Sequence, residues 1–128
     1  MAVVTNYPKH SSEWLKHELD PELYRAEVTV VAGAGDIKTG TVMGKITATG
    51  KWTPHVNGAV DGTETAAGIL LHGVDASGVA DVKAVIVTGE ARIAALKLDW
   101  HASVNDTAKK NAALDQLASL GFKTAYQS

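Results

Sequence analysis

The sequence predicts a mainly β protein of the α+β kind: a small β body, an extended N-terminal arm with a short N-terminal helix, and one C-terminal helix. Three observations carry that reading. Apolar residues alternate with a period of two through most of Glu27 to Trp100, as half-buried strands require. Glycine-bearing turn dipeptides cut this stretch at short intervals. Only near the C-terminus does a helical period sit between a start and a stop signal.

At the N-terminus, Val3, Val4 and Thr5 favour strand, whereas Asn6, Pro8 and Ser11 interrupt it. Pro8 also biases Tyr7 away from helical backbone. Such a segment buries too little apolar surface to offset its own ordering entropy. Residues 12–19 are expected to form the short helix, with Ser11 or Ser12 as cap and Leu15 and Leu19 on one face. Asp20-Pro21 ends it. The domain organisation that follows is an arm over residues 1–24 and a β-rich domain over 25–128.

The first strand of the body alternates Val28, Val30 and Ala32 with Glu27, Thr29 and Val31. Gly33 to Asp36 reads as a turn. The next strand, Thr41 to Thr49, contains Gly44, which marks a bulge or a close backbone approach. Lys51-Trp52-Thr53 is a short strand that Pro54 ends. Asn57-Gly58 and Asp61-Gly62 are strong turn dipeptides, so residues 55–65 form a surface loop. Ala67 to His72 reads as a buried strand, Asp75 to Gly78 as a turn, Val82 to Thr88 as the most apolar strand, and Ala91 to Leu98 as the last. Asn105 or Asp106 caps the final helix. Its apolar face carries Ala108, Ala112, Ala113, Leu114, Leu117, Ala118 and Leu120. Gly121 stands where a left-handed residue closes a helix, with Phe122 placed to fold back on Leu117.

A chain of 128 residues suits one domain and can bury a core without disulfides. It has no cysteine, which excludes a disulfide scaffold, thiolate metal sites and a cysteine nucleophile. The formal charge is −2, with the surplus acid confined to residues 1–27 and no basic stripe anywhere. Phosphate neutralisation therefore has no footprint, and no nucleic acid is expected as partner. No apolar run approaches the ~18 residues of a membrane span, so no membrane association is expected. The segment MAVVTNYPKHSSEW lacks the apolar stretch of a signal peptide.

The chemistry-bearing residues form no constellation. Gly35 and Gly40 are spaced as in a phosphate loop, but Thr41 stands where the lysine belongs and a strand follows where a helix should start. The five histidines make neither an HxH nor an HExxH pattern. Glu13 and His17, four apart, read as a surface ion pair on the short helix. No serine lies in a nucleophile elbow, and the carboxylates Asp61 and Glu64 fall in a loop. The protein is thus read as no enzyme, without cofactor or metal. Trp14 differs from Trp52 and Trp100: it lies among polar residues of the arm, where it reads as an anchor for a partner's pocket. A second reading is a carbohydrate- or host-surface-binding module, with aromatics near Trp52 and the 55–65 loop stacking on sugars.

SEWLKHELDPELYRAEVTVVAGAGDIKTGTVMGKITATGKW, then TAAGILLHGVDASG, AVIVTGEARIAALKL and ALDQLASLGFK, in that order and spacing, resemble the lambda-type head decoration proteins of tailed bacteriophages. The resemblance spans about residues 12–123. It implies a β-clip-like body and a homotrimer on the outer capsid surface of the virion, at three-fold positions. It implies synthesis in the host cytoplasm, the major capsid protein as partner, and a cementing role against the pressure of packaged DNA. On that basis Val3, Val4, Thr5 and Tyr7, with Trp14, Leu15 and Leu19, are the expected capsid-binding residues. Trp52, Pro54, Gly68, Ile69 and Leu71 are the expected trimer contacts, as apolar positions that one small body would leave uncovered.

Overall fold

The structure is a computed structural model, and it describes residues 13–18 and 24–124. Among the described residues, ten strands and one long α-helix follow in chain order. They are β1 (Leu15–Glu18), β2 (Arg25–Val30), β3 (Gly35–Ile37), β4 (Val42–Lys45) and β5 (Trp52–Pro54). Then come β6 (Gly68–Leu70), β7 (Val74–Ala76), β8 (Val82–Val87) and β9 (Ala91–Ile93). A 3₁₀ turn (Ala95–Lys97), α1 (Thr107–Ala118) and β10 (Lys123–Thr124) complete the described chain.

Five strands close into a barrel in the order β2-β5-β4-β6-β8. The period of two decides what fills it. Val30, Met43, Trp52, Leu70, Ala84 and Ile86 come from all five barrel strands and pack together inside. Their sequence neighbours Val42, Ile69, Leu71, Val85 and Val87 point the other way and pack in a second apolar cluster. That cluster is covered by Trp14, Ala91, Ile93, Ala113, Leu117 and Phe122, from the β1 region, β9, α1 and the residue before β10. Strands β4 and β6 are buried on both faces for this reason, which explains their unbroken apolar runs. The smaller β3–β7 pair adds Ile37, Val74 and Ala76 to the inner cluster.

Glycine allows two close approaches in this barrel. A Cβ on Gly44 would lie 2.8 Å from the Thr63 Cα and 2.9 Å from its carbonyl oxygen, so the 55–65 loop can lie against β4. A Cβ on Gly68 would lie 2.5 Å from Ile86 Cγ2, within the β6–β8 pair. The first is the close backbone approach expected of Gly44.

The C-terminal helix follows its local signals. Asp106 accepts the Lys109 amide at 2.8 Å as N-cap. Gly121 has φ +96°, and its N–H reaches the Ala118 carbonyl at 3.0 Å while Phe122 N–H reaches Leu117 at 3.2 Å. Those are the paired bonds of a Schellman closure. The buried face is narrower than expected: Ala113 and Leu117 are buried, Leu114 is half-buried, and Leu120 is exposed.

Three expectations are corrected. Leu15–Glu18 is a strand, antiparallel to β9 with Leu15 opposite Ile93, where a helix was expected. A helix of eight residues is marginal alone, whereas β9 offers an edge and the second cluster offers Trp14 a place. Glu13 and His17 therefore do not face each other across a helical turn. Gly35–Ile37 and Val74–Ala76, both expected largely within turns, pair with each other as strands. Ala91 to Leu98 is a short strand followed by a 3₁₀ turn. Residues 14–18 also pack on the body, through the β1–β9 pairing and Trp14.

Candidate functional site

Trp14 is fully buried. Its indole Nε1 donates to Thr39 Oγ1 at 2.9 Å, and the Thr39 hydroxyl in turn donates to the Leu71 carbonyl. The Trp14 carbonyl accepts the Ala94 amide at 2.7 Å. A tryptophan among polar residues in sequence is thus held in the chain's own core. Thr39, its partner, carries no sequence signal, because it lies 25 positions away, between the turn at Gly33 to Asp36 and the strand expected from Thr41. Leu15 is half-buried against the same cluster. Val3, Val4, Thr5, Tyr7 and Leu19 lie outside the described residues.

Glu18, at the end of β1, is tied to Arg25, at the start of β2. Arg25 Nε donates to Glu18 Oε2 at 2.8 Å and Nη2 to Oε1, a bidentate pair. The hydrogen bond from the Glu18 carboxylate holds the guanidinium pKa above its ordinary value. The end of β1 and the start of β2 are thereby clamped together.

The residues expected at a trimer contact are covered within one chain. Trp52 and Ile69 lie in the barrel wall, Leu71 in the second cluster, and Pro54 and Gly68 are buried. Their burial removes the premise that a second copy must cover them, because the barrel and its outer layer already do. Trp52 also offers no exposed face on which a sugar ring could stack. The large apolar side chains left exposed among the described residues are Val60, Val79 and Leu120, and Trp100 is half-buried.

The surface carries shallow grooves. One of about 250 Å³ runs between Ile37, Lys38, Pro54, Asp99, Trp100 and His101. Another, of about 520 Å³, lies between α1 and β10, lined by Ile93, Leu114, Leu117 and Phe122. Gly35 to Thr41 forms a strand and a turn before β4, not a loop capped by a helix. His55 is buried, with Nδ1 donating to the Thr63 carbonyl at 2.8 Å, which suits a core residue. Among the described residues, no three His, Asp or Glu side chains converge on a point that could hold a metal ion. No helix there is long and apolar enough to cross a membrane.

Compared with known proteins, residues 4–122 match the family model described as Bacteriophage lambda head decoration protein D. No curated protein matches the chain.

Proposed function

The chain belongs to the lambda head decoration protein D family, and from that membership, which carries decoration of a phage capsid, we propose that it acts as a trimeric cement on the outer face of the expanded head. Its partner is the major capsid protein at three-fold positions, and its effect is to resist the pressure of packaged DNA. The observation that carries the reading is the family match across nearly the whole chain, with a described body built as a closed barrel under a second packed layer.

The capsid contact falls to residues 1–12, which precede the body in sequence, and to Leu19. Val3, Val4 and Thr5 suit backbone pairing with an exposed capsid strand, with Tyr7 beside them. Three arms acting together raise avidity by about 10²–10⁴ over one, so a weak single arm is enough.

Imaging expanded, empty heads with and without added protein tests this. The expected result is density over three-fold positions with full-length protein and bare heads with a variant lacking residues 1–12. Equal decoration by the shortened protein would remove the arm from the mechanism. A monomer at every concentration in analytical ultracentrifugation would remove the trimer.

A further inference from the structure

Two residues followed by glycine lie four positions apart in the 55–65 loop, in Asn57-Gly58 and Asp61-Gly62. Both dipeptides are chemically able to cyclise, because glycine has no side chain to hinder attack by its own backbone nitrogen. The fold treats them differently. Asp61 Oδ1 accepts from the Thr63 amide at 3.1 Å and from its hydroxyl at 2.6 Å. The Gly62 amide is itself occupied, donating to Glu64 Oε1 at 2.8 Å. Nucleophile and electrophile of a ring closure are therefore both tied at Asp61. The Thr63 hydrogen bonds also hold the Asp61 carboxyl below its usual pKa, in the ionised form that resists attack.

At Asn57 neither reacting group is held. The side chain is exposed and makes no hydrogen bond among the described residues. The Gly58 amide makes none there either. The turn around them closes only through Ala59 N–H to the Val56 carbonyl at 3.4 Å, near the weak limit for such a bond. The backbone of Asn57 is anchored instead at its own amide, which donates to Ser103 Oγ at 2.9 Å. That bond lies on the N-terminal side of the Asn57–Gly58 peptide and engages neither reacting group. The other described asparagines are restrained: Asn105 Oδ1 accepts from Lys109 Nζ at 3.0 Å, and Asn111 lies within α1.

We propose that Asn57 is a site of spontaneous deamidation and isoaspartate formation, and that the neighbouring Asp61-Gly62 is protected from the equivalent rearrangement. The Gly58 nitrogen attacks the Asn57 side-chain carbonyl carbon, giving up its proton as the new C–N bond forms. The carbon–nitrogen bond to the amide group breaks and ammonia leaves. Water then opens the five-membered imide at either carbonyl. One product is aspartate; the other is isoaspartate, with the chain running through the side-chain carbon. Each conversion adds a negative charge where the loop meets Ser103 and His101, whose side chains are hydrogen-bonded at 2.8 Å. On a particle whose coat is not renewed, such chemistry accumulates with age.

The test is to incubate the full-length protein at mildly alkaline pH and to follow each asparagine and Asp61 by peptide mass mapping. Isoaspartate is read in parallel with an isoaspartyl methyltransferase and a labelled methyl donor. Asn57 is expected to convert roughly tenfold faster than Asn105 or Asn111, since only it precedes glycine. Asn57→Gln, which would need a larger ring, is expected to abolish the early methyl-acceptor signal. Ser103→Ala, by loosening the loop, is expected to raise the rate. Conversion at Asn105, Asn111 or Asp61 as fast as at Asn57 would overturn the proposal. So would an unchanged methyl-acceptor signal in Asn57→Gln.

Discussion

At the scale of single residues, Trp14 decides where the folded body begins. Removing it leaves a cavity under β9 and α1 and frees the Thr39 hydroxyl from its donor. Trp14→Ala is expected to cost about 3–5 kcal/mol, the range for large buried aromatics. Thr39→Val keeps the shape but strands the buried indole N–H, at about 1–3 kcal/mol. Urea unfolding of both variants checks the order. A Trp14→Ala protein as stable as the parent would mean that the indole is not in the core.

Acid sensitivity also belongs to single residues. Three exposed carboxylates are held below their usual pKa: Asp61 by the Thr63 hydroxyl and amide, Asp75 by the Ser77 hydroxyl and amide, and Asp81 chiefly by Lys51, then by the Ala32 amide. A carboxylate with a lowered folded pKa stabilises the fold above its unfolded pKa, about 3.9 for aspartate. That contribution is lost as the pH falls from there through the lowered folded values. The melting temperature should therefore decline at the acid end, and Asp61→Asn or Asp81→Asn should flatten the decline. An acid limb that these substitutions leave unchanged would place the titrating groups elsewhere.

At the scale of elements, what could be read from sequence divides by the range of the contacts involved. The end of α1 was legible because its signals are local: Asp106 three residues before the amide it accepts, and Gly121 beside Phe122. Asp106→Ala should lower stability by about 1 kcal/mol in the same unfolding assay. The barrel strands were legible from period and turn residues, because Val28, Met43 and Ile86 alternate with neighbours of a different environment. The strands β1, β3 and β7 were not, since each is held by a partner far along the chain. Leu15 meets Ile93 and Gly35 meets Ala76, and nothing local announces either pairing. The burial of Trp14 and Trp52 was not legible for a related reason: their cover comes from residues far along the chain, which only the topology brings together.

Truncation separates arm from body at this scale. Deleting residues 1–12 should leave the melting temperature nearly unchanged. Deleting residues 1–18 removes Trp14, the β1–β9 ladder and the Glu18–Arg25 clamp, and should unfold or severely destabilise the domain. Equal melting temperatures for the two deletions would show that β1 contributes nothing to the fold.

At the scale of the whole molecule, the barrel is closed and the formal net charge of the chain is only −2. Affinity on the proposed reading comes from number: three arms on one trimer, each weak, engaging neighbouring capsid subunits together. That arrangement has a signature a single strong site lacks. When full-length and arm-deleted chains are refolded together and sorted by tag, trimers with three, two, one and no arms can be added separately to expanded heads. If the arms act jointly, each loss multiplies the concentration needed for half-decoration, and the span from three arms to one should reach about 10²–10⁴. If each arm binds alone, occupancy should fall only in proportion to the number of arms. A proportional fall would leave the family role intact and overturn the multivalent mechanism, because the effective concentration supplied by the trimer would then be doing nothing.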